Sequence, residues 1–287
     1  MKILLLGSNG QLGWELSRTC PETIQLFTCD YPGVDFLSTA SIHNCIESTE
    51  PAWIINAAAY TAVDLAQTEK LKAFRINHEA VKDIALAARL KNIKLVHIST
   101  DYIFSGQHFA PIRVDHPPDP QSVYGESKLQ GEQCVTELLE KSSLIIRTAW
   151  LYSSHGANFV KTMLRLMQEK QRLTVVDDQI GTPTWANGLA ETIWSAIKKN
   201  LTGIYHWTDA GCASWYDFAV AIQEEAVSMG LLKKTIPILP VPSSSYPTAA
   251  KRPAYSILDK QKICDALNIT PPHWRQQLRK MLHETTL

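Results

Sequence analysis

No run of this 287-residue chain approaches the roughly 20 apolar residues needed to cross a bilayer. Excess charge is also missing. Lys+Arg and Asp+Glu both number 28, so the formal net charge is zero and no electrostatic footprint points to nucleic acid or an anionic membrane surface. The six cysteines (Cys20, Cys29, Cys45, Cys134, Cys212, Cys264) form no Cys-x-x-Cys and no regular framework, which fits small apolar filler in a reducing compartment. The nine histidines show no His-Glu-x-x-His spacing, so no zinc site is expected. A Gly-x-Ser-x-Gly elbow, internal repeats and low-complexity tracts are absent too, and the first of these weighs against a serine hydrolase.

What is present begins at the first residues. Ile3–Leu6 reads as a buried strand running into Gly7-x-x-Gly10-Gln11-Leu12-Gly13, ahead of a helix at Gln11–Arg18. In such a turn Gly7 permits the tight bend, Gly10 lets the backbone approach a pyrophosphate, and Gly13 allows close helix–strand packing. The helix N-terminus then offers free N–H groups to phosphates. A signal peptide cut here would remove that cradle, so a cytoplasmic protein is expected.

Further strands read at Gln25–Cys29, Trp53–Ala57, Lys94–Ser99 and Leu144–Arg147. They alternate with helical segments at Ala40–Ser48, Ala66–Arg89 and Ser122–Lys141. This alternation predicts an α/β fold: a Rossmann-type, doubly wound parallel sheet with ligands beyond the carboxyl ends of the strands, where Gly7, Ala57 and Ser99 fall. A dinucleotide-binding domain over residues 1–149 is expected, with a smaller substrate-binding lobe over 150–287. Segments around 185–207 should return to the first domain: a helix at Leu189–Lys198 and a strand at Gly203–Trp207. Within the lobe, Asn158–Glu169 reads as helix and Leu173–Val176 as strand. Residues 235–253, with five prolines and a serine run, are too irregular for a sheet interior.

The most informative pair is Tyr124 and Lys128, one helical turn apart in Val-Tyr-Gly-Glu-Ser-Lys-Leu. A phenol with a pKa of about 10 is a poor acid–base catalyst at neutral pH. A cation on the same helix face would bring it toward the working range. At the end of the fourth strand, Ser99-Thr100-Asp101-Tyr102 offers a hydroxyl to hold a carbonyl oxygen, or simply caps the strand. Asp30, after the second strand, is placed to bind the adenosine ribose and favour NADH, or is a solvated loop residue. Asp35 and Phe36 form a second candidate for the adenine edge and face. Asn56-Ala57-Ala58-Ala59-Tyr60-Thr61 gives a small-residue strand end where backbone passes close to something flat, or packs tightly. Arg252 before Pro253 suits a diphosphate or a structural role. Trp150 suits a sugar wall or a core position, and Glu15 reads as a solvated helix residue.

With these motifs in hand the chain resembles the dTDP-4-dehydrorhamnose reductases of the extended short-chain dehydrogenase/reductase group, nearly end to end. The likeness runs through Gly7-x-x-Gly-Gln-Leu-Gly-Trp-Glu-Leu16, Asn56-Ala-Ala-Ala-Tyr-Thr-Ala-Val-Asp64 and Ser99-Thr-Asp-Tyr-Ile-Phe-Ser-Gly106. It continues through Val123-Tyr-Gly-x-x-Lys128, Arg147-Thr-x-Trp150, Asn158-Phe-Val-Lys-Thr-Met-Leu164 and Asp178-Gln-x-Gly-x-Pro-Thr184. Gly203-x-Tyr-His206, Ser245-Tyr-Pro-Thr248 and Arg252-Pro253 complete it. Sugar-nucleotide dehydratases look like Thr-Asp-Glu where this chain has Thr-Asp-Tyr102, which argues for plain reduction.

The resemblance implies hydride transfer from NADPH or NADH to C4 of a dTDP-4-keto-6-deoxyhexose, giving dTDP-L-rhamnose. Tyr124 would protonate the oxygen, Lys128 would lower its pKa and hold the nicotinamide ribose, and Thr100 would position the oxygen. Gly7 to Gly13, Asp30, Asp35, Phe36 and Ala57 to Tyr60 would bind cofactor. Val63, Asp101, Tyr102 and Trp150, with Asn158 and Arg252, would bind substrate. Some members look like Mg-bridged dimers built on a Glu at the Glu15 position, a second Glu, and a Ser before the Arg-Pro. Here Asn187 and Lys251 stand in the last two places, and an ammonium beside the metal would repel it. A monomer or weak homodimer without bridging Mg is therefore expected, with no metal and no nucleic-acid or membrane partner. The alternatives are a reductase or epimerase of another nucleotide sugar, or a non-catalytic subunit like the regulatory subunits of methionine adenosyltransferase, which tend to lose the tyrosine–lysine pair.

Overall fold

Six parallel strands form the central sheet of the protein, whose residues 1–285 are described here from a computed structural model. They are β1 (Lys2–Leu6), β2 (Gln25–Cys29), β3 (Trp53–Asn56), β4 (Lys94–Thr100), β5 (Ser143–Thr148) and β10 (Gly203–His206), in spatial order β10-β5-β4-β3-β1-β2. β3 and β5 are buried along their whole length, which is why the sequence gives continuous apolar runs rather than alternation. The register aligns Leu6 with Asn56, Asn56 with His97, and Thr100 with Thr148, so β4 and β5 run three residues beyond β1 and β3 on the same rim.

Each face of the sheet has its own apolar layer, as a doubly wound fold requires. On one face lie α2 (Thr39–Thr49), α4 (Ala80–Leu90) and α5 (Val123–Leu139), contributing Ile42, Ile84 and Val135. On the other lie α1 (Gln11–Arg18) and α7 (Ala186–Lys198), contributing Leu16 and Ile193. α9 (Gln261–Leu267) joins this second layer through Ile263 and Leu267, a late return that the sequence pattern did not signal. Between β3 and α4 the helical material is broken into α3 (Lys70–Phe74) and one π-turn, Arg75–Glu79.

A separate core holds the second lobe. It joins α6 (Phe159–Glu169), α8 (Trp215–Ser228) and α10 (Trp274–His283) to β7 (Leu173–Val176) and β12 (Ile238–Val241). β7 and β12 form a two-stranded parallel ribbon, with Pro240 opposite Val175. Residues 235–253 thus contain a strand that their prolines obscured, and Pro240 is tolerated because both strands of a two-stranded ribbon are edges. Two short pairs complete the lobe: β6 (Leu151–Tyr152) with β9 (Thr184–Trp185), and β8 (Ile180–Gly181) with β11 (Ala213–Ser214). The cysteines differ from the buried filler expected of them: all six are free thiols, five half-buried and Cys212 exposed.

Candidate active site

A cleft of about 750 Å³ opens over the carboxyl rim of β1, β3, β4 and β5, bounded on its far side by Trp150 and Asn158. Its first wall is nearly all main chain. Gly7, at φ +82°, turns the chain off β1, and a Cβ there would stand 2.5 Å from Ala58 N. The small strand end Ala57-Ala58-Ala59 is therefore required by the glycine turn against it, and all three alanines line the cleft. Gly10 precedes α1 without a side-chain cap, so the first N–H groups of the helix stay available to a ligand. Gln11 and Leu12 line the cleft as well. Gly13 does not line it: a Cβ on Gly13 would meet Gly7 O at 2.1 Å, and its task is packing.

The acidic candidates divide. Asp30 reaches the cleft with both oxygens engaged, Oδ2 by the N–H of Asn9 and Oδ1 by that of Tyr31, each at 2.8 Å. It braces the glycine turn, and is neither free nor merely a solvated loop residue. Phe36 lines the cleft, but Asp35 does not: it accepts the Leu37 N–H just ahead of α2. Tyr60 is also absent from the lining. It is buried, its N–H bonded to Asn77 Oδ1 at 2.8 Å and its hydroxyl donating to Glu69.

The centre of the cleft is formed by α5. Ser122 caps that helix by accepting the Gly125 N–H, and Gly125 lies so close to the β4 exit that a Cβ would meet Tyr102 O at 2.1 Å. This approach sets the Tyr124 ring edge-on to the Tyr102 ring, with centroids 5.4 Å apart, and faces its phenol toward the Thr100 hydroxyl. Thr100 Oγ1 donates to Asp101 Oδ1 at 3.0 Å and accepts the Tyr102 N–H. Lys128 is buried and donates to Ile98 O at 2.7 Å. Tyr124, Lys128, Thr100, Asp101 and Tyr102 all line the same cleft as the glycine turn.

The electrostatics differ from the sequence expectation. Burial pushes the Tyr124 phenol above 10, with the Thr100 hydroxyl opposing and Asp101 and Tyr102 adding to the rise. Burial also draws Lys128 down to about 8, with Glu132 opposing. Lys128 does not bring the resting phenol toward neutrality: burial sets the direction, and the charged neighbour acting on the phenol is Asp101. Asp101 is pushed up to about 6 by burial, against hydrogen bonds from Ser256 and Thr100.

The second wall comes from distant parts of the chain. Trp150 sits at φ +47° with its indole stacked on Trp215, centroids 3.5 Å apart; Gly181 leaves room for it, since a Cβ there would lie 2.5 Å from Trp150 Cε2. Asn158 caps α6 and donates to Gln11 Oε1 at 3.0 Å, linking the second lobe to the glycine turn. Val63 lines the cleft. Arg252 stands one layer behind: Nη1 donates to Tyr102 Oη at 3.1 Å and Nη2 to Asp64 Oδ2 at 2.7 Å. Its fork is committed to protein partners, so it positions Tyr102 rather than presenting a free diphosphate site.

Sequence reasoning missed Asn77, Asp64 and Trp215. Asn77, in the π-turn, bonds Tyr60 and donates to Ser127 Oγ on α5, so it ties the alanine strand end to the tyrosine helix. A mid-helix asparagine carries no signal of this. Asp64 closes a quoted motif but gives no hint of its partner. Glu15 needs correction: it is fully buried, accepting from Ser153 Oγ at 2.7 Å, Arg18 Nη2 at 2.6 Å and Asn187 Nδ2 at 3.3 Å. Lys251 is not beside it within the chain, being exposed with its ammonium toward Gln121. Among the described residues no three His, Cys, Asp or Glu side chains converge as a metal-binding group, and no helix is long and apolar enough to cross a membrane.

The fold and the cleft have counterparts. The family model of the RmlD substrate binding domain matches residues 1–287. The dTDP-4-dehydrorhamnose reductase of Escherichia coli K12 is 39% identical over 294 residues, covering 99% of this chain and 98% of its own. A crystal structure of dTDP-4-dehydrorhamnose reductase from Bacillus anthracis in complex with NADP superposes with a TM-score of 0.92 at 36% identity, covering 99% of each chain. A UDP-glucose 4-epimerase of Thermus thermophilus with NAD, at 17% identity and TM-score 0.83, shares the fold.

Proposed function

The chain belongs to the family of the RmlD substrate binding domain, and from that premise we propose that it is the NAD(P)H-dependent reductase of dTDP-4-dehydro-L-rhamnose. The observation that carries this reading is one cleft holding both the glycine turn and the Tyr124–Thr100–Lys128 group, with Tyr102 where a dehydratase would place a second acid.

The residues fit a nicotinamide dinucleotide. Gly7 and Gly10, with the open N-terminus of α1, would take the pyrophosphate, and the alanine strand end would lie along the flat parts. When bound, that cofactor supplies a hydride to the C4 carbonyl. Thr100 holds the carbonyl oxygen, and Tyr124 delivers the proton to it as charge develops there. The raised phenol suits that direction of chemistry: at neutral pH the donor is fully loaded with its proton. Lys128 then stabilises the phenolate left behind. Val63, Asp101, Tyr102 and Trp150 shape the sugar side, with Arg252 keeping Tyr102 in place. The nucleotide sugar is the one partner needed. We place the chain in the cytoplasm, as a monomer or weak dimer that needs no bridging Mg.

The test follows NADH and NADPH absorbance with dTDP-4-keto-L-rhamnose and with UDP- and GDP-linked 4-keto sugars. Oxidation with the dTDP sugar ahead of the others is expected; no oxidation with any of them would overturn the reading. Activity and solution mass should not change on adding EDTA.

A further inference from the structure

We propose that Glu132, clamped by Arg147, is a positioning residue that keeps Lys128 protonated beside Tyr124. The proposal rests on the reading of Lys128 as the partner of Tyr124. Lys128 is 2% exposed, and its ammonium has left water for the carbonyl of Ile98. Desolvation alone favours the neutral amine. The charge that opposes this is Glu132, four residues on and therefore on the same face of α5.

Glu132 is itself 2% exposed, and a buried carboxylate needs an opposite charge and hydrogen bonds against it. Arg147 supplies both. From β5 its Nε donates to both carboxylate oxygens, at 3.0 and 3.1 Å, and Nη2 donates to Oε2 at 2.8 Å. Nη1 donates to Val114 O at 3.0 Å and faces His206 Nε2 at 3.4 Å. Burial and the Arg147 guanidinium hold His206 down to about 3, so it adds no second cation. A buried row thus runs Lys128, Glu132, Arg147, His206 with charges plus, minus, plus and zero.

The other groups around this row do not supply the missing minus. His97, on β4, is kept neutral by burial and by Lys128 itself. Asp101 and Tyr102, beyond β4, face Tyr124, and Asn77, from the π-turn, is neutral and bonded to Ser127. Arg147 belongs to the Arg-Thr-x-Trp motif, and this row gives it a task that the sugar pocket does not.

The experiment compares Glu132→Gln, Glu132→Asp and the double variant Glu132→Gln with Arg147→Met. Two readouts are followed: the alkaline limb of the turnover–pH profile, and the titration of carbon-13-labelled Lys128, its signal identified by loss in Lys128→Arg. A neutral Lys128 cannot stabilise the phenolate, so activity falls as pH rises through the Lys128 pKa. Glu132→Gln should move both midpoints down by about one unit, because the minus is gone and the Arg147 plus remains. The double variant, which removes both charges and so keeps a neutral buried pair, should move them down by less. Glu132→Asp should restore them toward the wild-type values. Midpoints unchanged in the double variant, with only a scaled rate, would overturn the proposal and leave the pair a structural clamp. The titration needs no substrate, so a failure of the reductase reading is separable from a failure of this one.

Discussion

Along β1, α1 and β3 the cleft is lined by main chain and small side chains, whereas the wall from Tyr102 through Trp150 is made of large side chains held by partners far away in sequence. On the first wall Gly7, Gly10 and the alanines exclude bulk so that backbone can approach a ligand. On the second, Trp150 is fixed by Trp215 and Tyr102 by Arg252. A main-chain wall recognises what every dinucleotide has in common. A side-chain wall, on the proposed reading, would recognise one sugar, and it can change without disturbing the first. Between the two stands α5, which serves both.

The largest effect is expected where the walls meet. Tyr124→Phe removes the proposed proton donor and keeps the ring that packs on Tyr102. Turnover should fall by about 10³-fold, with cofactor affinity by fluorescence titration nearly unchanged. Comparable turnover in that variant would sink the assigned proton donor, and the division of labour along with it.

Gly7→Ala attacks the main-chain wall alone. Its Cβ would lie 2.5 Å from Ala58 N, at a φ that L side chains rarely adopt. Cofactor affinity should fall by roughly 100-fold, the equivalent of about 3 kcal/mol. Folding should be checked alongside by circular dichroism. A folded variant with wild-type cofactor affinity would mean that the turn is not the cradle.

Arg252→Met attacks the other wall. Tyr102 and Asp64 each lose a charge-assisted hydrogen bond of about 1.5–3 kcal/mol when buried; the guanidinium is partly exposed, which puts the effect toward the low end. KM for the nucleotide sugar should rise about tenfold while the cofactor KM stays put. A change in the cofactor KM instead would show the two walls to be coupled.

These two walls also differ in how far they can be read in advance. The glycine turn, the parallel sheet that alternation implies and the Tyr124–Lys128 spacing are local, and a local pattern survives in a one-dimensional string. The second wall depends on pairings such as Arg252 with Asp64, 188 residues apart, and the packing behind α1 depends on Glu15 with Ser153, 138 apart. Nothing in the neighbourhood of Glu15 distinguishes a buried three-partner carboxylate from a solvated one. The raised Tyr124 phenol was hidden for a different reason: spacing gives the cation but not the burial, and burial wins. Asp35 and Phe36 show the limit at finest grain, since adjacent residues in an irregular turn go to different places and only one of them reaches the cleft.

The smallest expected effect bears on Asp30, the carboxylate on the otherwise main-chain wall. Both its oxygens already accept backbone N–H groups, which hold the carboxylate in place at the rim of the cleft. Lys128, at the opposite end of the site, is the lone Lys or Arg lining the cleft among the described residues. A 2′-phosphate on the adenosine ribose would therefore meet a minus charge with no cation to offset it, whereas ribose hydroxyls would find an acceptor. NADH should be the better cofactor by kcat/KM. Asp30→Asn keeps one of the two accepting oxygens and removes the charge, so the NADPH-to-NADH ratio of kcat/KM should rise about tenfold, the worth of roughly 1.4 kcal/mol of repulsion at a solvent-facing site. A wild-type enzyme that prefers NADPH, with a ratio insensitive to Asp30→Asn, would make Asp30 a brace for the glycine turn and leave the first wall reading its cofactor by main chain alone.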